Sequence, residues 1–173
     1  MDLVEKLTAG NRAYLQQGNR SRREETAQNG QHPYAIVICC SDSRVIPEQI
    51  FGADIGDLFV IRVAGNVLDR HQLGSIEYAA AHLHTKLVVM LGHTGCGAVD
   101  AALSGEADGF ISYITEDIRR AIGDVHDADR ACRLNVCSGV ERIRTEFAEH
   151  PEIGSIAVRG AIYDIRSGAV EWL

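Results

Sequence analysis

The sequence predicts an α/β fold, a mainly parallel sheet of four to five strands flanked by helices and preceded by an N-terminal helical arm. Three observations lead there. Apolar runs rich in β-branched residues recur as YAIVICC at 34–40, LFVIRVA at 58–64 and KLVVML at 86–91, the composition of strands buried on both faces. Between the last two, SIEYAAAHLH at 75–84 carries its apolar residues at helical spacing, giving the strand–helix–strand rhythm of a parallel crossover. The 173 residues, 46% hydrophobic and 24% charged, suit one globular domain with a sizeable core.

The elements follow in order. Residues 2–17 bring Leu3, Val4, Leu7, Tyr14 and Leu15 to roughly one helical stripe. The polar stretch GNRSRREETAQNGQHP at 18–33 reads as an exposed connector, so residues 1–33 form an arm and connector on a single 1–173 domain. The three apolar strands then alternate with helical segments, and after Cys96 helical patterns run near 97–103, 110–123 and 130–148. SIAVRGAIYDI at 155–165 reads as another strand, and AVEWL closes the chain after the turn residues Ser167 and Gly168.

Seventeen Lys and Arg against 24 Asp and Glu leave a formal net charge of −7, which gives no cationic field for nucleic acid or an anionic membrane. No apolar run approaches the length of a bilayer span, and the opening MDLVEKLTAGNR has no signal-peptide core, so a cytoplasmic protein is expected. Five cysteines are an odd number and too sparse for a disulfide framework; thiolate chemistry or core packing is the better expectation.

Their spacing separates the two. The first strand ends in Cys39-Cys40-Ser41-Asp42-Ser43-Arg44 and the third in Gly92-His93-Thr94-Gly95-Cys96-Gly97. Functional groups in open α/β sheets gather beyond the carboxyl ends of strands, and both clusters fall there. A tight turn opening a helix directs His93 and Cys96 at one ion, and the thiolate of Cys40 completes three soft ligands suited to Zn²⁺. No fourth Cys or His lies near in sequence, which leaves a position for water or a carboxylate, as catalytic zinc sites do. Asp42 is that carboxylate, and Arg44 can hold it ionised through a bidentate pair. Cys39 points to the opposite face of the strand and reads as core. Cys132 and Cys137 sit roughly 140° apart on a helix, a poor pair for one metal. GHTGCG lacks the Gly-Lys-Ser/Thr ending of a phosphate loop.

These residues reach a family. CSDSR at 40–44, GDLFVIRVAGN at 56–66, SIEYA at 75–79 and GHTGCGAV at 92–99 resemble the motifs of the β-class carbonic anhydrases. The likeness extends more weakly to Leu7–Tyr14, to GQHP at 30–33 and to GAIYDIRSG at 160–168. The resemblance implies zinc held by Cys40, His93 and Cys96, with Asp42 and Arg44 as a catalytic dyad. It implies reversible hydration of carbon dioxide to bicarbonate and a proton by a zinc-held hydroxide, in a homodimer or a dimer of dimers whose clefts lie at the subunit interface. Gln31, Phe59, Ala64, Tyr78 and Gly97 match positions at the substrate pocket, with Ala64 where some relatives carry Val. Some bacterial relatives cap the zinc with the dyad Asp, a state linked to a Trp three residues before the first ligand Cys. Val37 stands there here, which implies an uncapped metal with Asp42 held by Arg44.

Two alternatives stay open. Carbonyl sulfide or carbon disulfide hydrolysis needs the same hydroxide and a similar linear substrate. A non-catalytic zinc or thiol-redox protein, with Cys40 and Cys96 as a disulfide, has no use for the Asp42–Arg44 pair.

Overall fold

The computed structural model describes residues 2–105, 107–151 and 153–173, in two compact units that divide after Gln31. The first unit holds two helices, α1 (Leu3–Leu15) and α2 (Arg20–Asn29). Glu5 accepts from the Asp2 N–H at 3.0 Å at the start of α1, and the Arg23 guanidinium lies 5.0 Å over the Tyr14 ring. Residues 18–33 are therefore not a plain connector, because most of them form α2. Its sequence RSRREETAQN has no apolar face for a periodicity to reveal, and ion pairs such as Arg20–Glu24 support it instead.

The second unit is a five-stranded sheet, β1 (Ala35–Cys39), β2 (Leu58–Arg62), β3 (Leu87–His93), β4 (Ala157–Tyr163) and β5 (Val170–Trp172), in the order β2-β1-β3-β4-β5. All pairings are parallel except β4 with β5. One sheet face buries Ile36, Ile38, Met90 and Val158 beneath α4 (Arg70–His82), α5 (Gly97–Ser104), α6 (Ile111–Ile122) and α7 (Ala128–Phe147). Gly92 lets α7 approach, since a Cβ there would stand 2.5 Å from Val136 Cγ2. The other face buries Val37, Cys39, Val89 and Leu91 against Ile50, from the short helix α3 (Pro47–Ile50), and the adjoining Phe51.

The strand order positions the site. The chain leaves β1 to one side for β2 and then crosses to the other side for β3, so the connections diverge between the carboxyl ends of β1 and β3. Binding crevices open at such switch points in open α/β sheets, and Cys40 and His93 stand at the two strand ends that border this one.

Candidate metal centre

Cys40 follows the last residue of β1, His93 ends β3, and Cys96 is the residue that opens α5 after a turn at Thr94–Gly95. All three side chains are buried, at 5%, 1% and 2% exposure, and their ligand atoms lie within 4.8 Å of one another. The two sulfurs are 4.0 Å apart, compatible with the roughly 3.8 Å that two Zn–S bonds of ~2.3 Å at a tetrahedral angle would span.

The donor set tests whether zinc fits, and it does. His93 Nδ1 lies 3.0 Å from the Thr94 carbonyl, to which it donates, so Nε2 is the free, lone-pair nitrogen. Nε2 is buried without a hydrogen-bond partner, an expensive arrangement unless a cation takes its lone pair. The Thr94 peptide is itself fixed, with its N–H bonded to Tyr163 O at 3.0 Å and its hydroxyl accepting from Ile165 N at 3.2 Å. A hydrogen bond from Cys96, outweighing burial, holds the Cys40 thiol far below its ordinary range, while Cys96 is pushed up by the same contact. This contact favours the thiolate of Cys40, the form that binds a metal. Burial works against protonated His93, but the neighbouring Cys40 sulfur, the Thr94 carbonyl and Asp42 together outweigh it and raise its pKa.

Asp42 and Arg44 lie on the loop after β1. Arg44 donates from Nε to Oδ1 at 3.0 Å, from Nη2 to Oδ2 at 2.7 Å and from its backbone N–H to Oδ1 at 2.9 Å. These bonds hold the carboxyl well below the usual carboxylate range. Arg44 also reaches the Gly95 carbonyl at 3.4 Å, linking the β1 loop to the β3 loop.

The residues matched to a substrate pocket divide. Ala64 and Gly97 adjoin the metal cluster, because Gly65 N–H donates to Cys40 Sγ at 3.3 Å and Gly97 follows Cys96. Phe59 and Tyr78 pack on each other at 6.2 Å, away from it. Phe59 is in register with Ile36, four residues before Cys40, about 13 Å along the strand. Tyr78 on α4 is 50% exposed. Gln31 ends the first unit.

The structure adds contacts that the motifs did not disclose, for Arg62 inside GDLFVIRVAGN and for Asn135 outside all of them. Arg62, at the end of the edge strand β2, donates to the Asp42 carbonyl at 2.7 Å and so braces the backbone of the β1 loop. Asn135, in the middle of α7, donates to the Gly65 carbonyl at 2.8 Å. Both act on backbone atoms, which spacing cannot disclose. Cys39 is core as expected, with burial pushing its thiol up to about 12; Cys132 is also buried and Cys137 is exposed.

The sequence model of the carbonic anhydrase family matches residues 35–170. The carbonic anhydrase of Mycolicibacterium smegmatis is 37% identical over 96% of this chain and 86% of its own length. That of Pseudomonas aeruginosa is 35% identical over 89% and 79%. Among solved structures, the β-carbonic anhydrase CafA of Aspergillus fumigatus superposes with a TM-score of 0.85 at 30% identity, covering 99% of this chain and 91% of that one. A tetrameric β-carbonic anhydrase of Sordaria macrospora gives 0.79 at 29% identity, covering 98% and 96%. Two cysteines and a histidine at the switch point, over a chain matched nearly end to end, place this protein in the β class of the carbonic anhydrase family, the zinc enzymes that interconvert carbon dioxide and bicarbonate.

Proposed function

We propose that Cys40, His93 and Cys96 hold the zinc and that Asp42, kept ionised by Arg44, orients the nucleophile for attack on carbon dioxide. The observation that carries this reading is the Asp42–Arg44 pair beside the three buried ligand atoms. When bound there, zinc supplies the Lewis acidity that makes hydroxide available near neutral pH. Of the roughly four lone-pair positions on a carboxylate, Arg44 uses two on Oδ1 and one on Oδ2. Asp42 Oδ2 therefore keeps one acceptor position, which takes the proton end of the attacking hydroxide and turns its lone pair towards the carbon. Ala64 and Gly97, both small, leave room for a linear triatomic substrate. Gln31 as a donor to a substrate oxygen rests on the resemblance.

Phe59 and Tyr78 bear on assembly. Their distance from the metal cluster along β1 means that, if they line a substrate pocket, it is the pocket of a second copy. β2, which carries Phe59, is an edge strand with only Ile61 buried. α1 buries none of its residues and exposes Leu3, Val4, Leu7 and Leu15, an apolar stripe suited to a partner surface. These features support a homodimer or a dimer of dimers. Among the described residues no helix is long and apolar enough to cross a membrane. The need for two reduced thiols at the site supports the cytoplasm as its compartment.

Turnover of carbon dioxide and of carbonyl sulfide on one zinc-loaded preparation tests the substrate. Faster hydration of carbon dioxide is expected; a preference for carbonyl sulfide would reassign it.

A further inference from the structure

Gly65 sits in the left-handed region, at φ 67° and ψ 14°, in the three-residue turn (Ala64–Asn66) after β2. A side chain is excluded there, since a Cβ would meet Ile118 Cδ1 at 2.8 Å and Ala98 Cβ at 3.0 Å. Its two polar groups point at different partners. The N–H donates to Cys40 Sγ at 3.3 Å, and the C=O accepts from Asn135 Nδ2 at 2.8 Å. Glycine is the least constrained of residues, so these external bonds decide which way its N–H points.

Asn135 is 7% exposed and belongs to the face of α7 that otherwise buries Ala131, Cys132, Val136 and Val140. A leucine would continue that face. The amide instead lines a cleft of about 240 Å³ shared with Asn66, Ser138 and Arg142, and its donor is directed at Gly65.

We propose that Asn135 is a positioning residue for the metal centre: by holding the Gly65 carbonyl it keeps the Gly65 N–H on Cys40 Sγ and so limits the electron density that this sulfur gives the metal. The proposal rests on the reading that Cys40 is a ligand and deepens it. Outer partners of metal ligands tune the ion they never touch, and an N–H donated to a thiolate lowers its donor strength. A weaker donor leaves the ion a stronger Lewis acid, which matters in a site with two thiolates.

Cobalt(II) in place of zinc reads the sulfur directly, through sulfur-to-cobalt charge-transfer absorption of the loaded protein. With one cobalt per chain, Asn135→Leu and Asn135→Asp should move that band to lower energy, because a sulfur without its N–H gives up electrons more readily. Thr115→Val is the comparison for general loosening, since among the described residues that buried hydroxyl bonds to Ile111 O and Ser112 O of its own helix; its band should stay in place. Unchanged bands in both Asn135 variants, or an equal shift in Thr115→Val, overturn the proposal. In the parent loaded with NMR-active cadmium, through-bond couplings should link the Gly65 amide proton to the metal and the Asn135 amide nitrogen to the Gly65 carbonyl carbon. These need no variant to fold, and absence of either overturns the proposal. A parent that takes up no cobalt overturns the metal reading itself, and this inference with it.

Discussion

Arg44 holds Asp42 at three points, through Nε and Nη2 of its guanidinium and through its own backbone N–H, within the span of two residues. The short loop makes this possible: Val45 N–H bonds back to the Asp42 carbonyl at 3.0 Å, closing a turn that brings the two side chains together. The carboxylate has little freedom to leave, and the same bonds hold its pKa well below the usual carboxylate range. Asp42→Asn should therefore keep about one zinc per chain and lose hydration activity by a factor of about 100 or more, the range for a positioned acid–base group. Arg44→Ala should also impair turnover, by freeing the carboxylate. Stopped-flow hydration together with metal analysis checks both, and an Asp42→Asn enzyme with parental turnover contradicts the dyad.

The same three bonds predict the resting state. Val37 fills the place three residues before Cys40 and is 1% exposed, within the sheet face shared by Val89 and Leu91. Trp172 of β5 lines a cleft with Val37 and Val89, so an indole does reach this face from the far end of the chain; it is the three bonds from Arg44 that leave bicarbonate little differential affinity with which to pull Asp42 away. A crystal structure of the zinc-loaded protein near pH ~7.5 should show the pair intact, and bicarbonate should inhibit weakly and without cooperativity. An Asp42 oxygen at ~2.0–2.2 Å from zinc would contradict this.

The legible parts of the molecule were those whose signal lies in side-chain pattern. The apolar runs fell on β1, β2 and β3 to within two residues, and the paired motifs at the ends of β1 and β3 came together as three buried ligand atoms. α2 was not legible because RSRREETAQN has no buried side to impose a period. Arg62 and Thr94 lie inside the motifs at 56–66 and 92–99 and Asn135 outside them, but the part each plays was hidden for another reason. Each supports the site through a main-chain atom, of Asp42, His93's neighbour peptide or Gly65, and main-chain geometry leaves no residue-type signature. Phe59 and Tyr78 matched motif positions, yet only the strand register shows how far along β1 they lie from Cys40.

The exposed stripe of α1 predicts dependence on the arm. Leu3 and Leu7 are each 76% exposed, an apolar stripe that the proposed dimer would cover. Removing residues 1–17 should give an unstable or inactive protein that runs as a monomer in light scattering. A fully active monomeric truncation contradicts the proposed dimer.

Arg133 ties α7 to β5 through two bonds to the Glu171 carboxylate, at 2.8 and 2.5 Å, and lowers that carboxyl's pKa. A carboxyl whose folded pKa is depressed stabilises the fold above its unfolded value of ~4.3, and this contribution disappears as pH falls through the lower folded value. Glu171→Gln should thus be slightly less stable than the parent to urea at neutral pH, the two converging in acid. The difference is small because the pair is exposed. A gap of constant size from neutral pH into acid contradicts the assignment.

Hydration of carbon dioxide by the zinc-loaded protein, followed by pH-indicator stopped flow with zinc content measured on the same sample, bears most directly on the central claim. Two thiolate ligands make zinc a weaker Lewis acid than three imidazoles would, so activity should rise towards alkaline pH. About one zinc per chain, a rate well above buffer on the alkaline side and loss of both in Cys40→Ala are the predicted results. No rate above buffer at alkaline pH, from a sample carrying its zinc, would contradict the account.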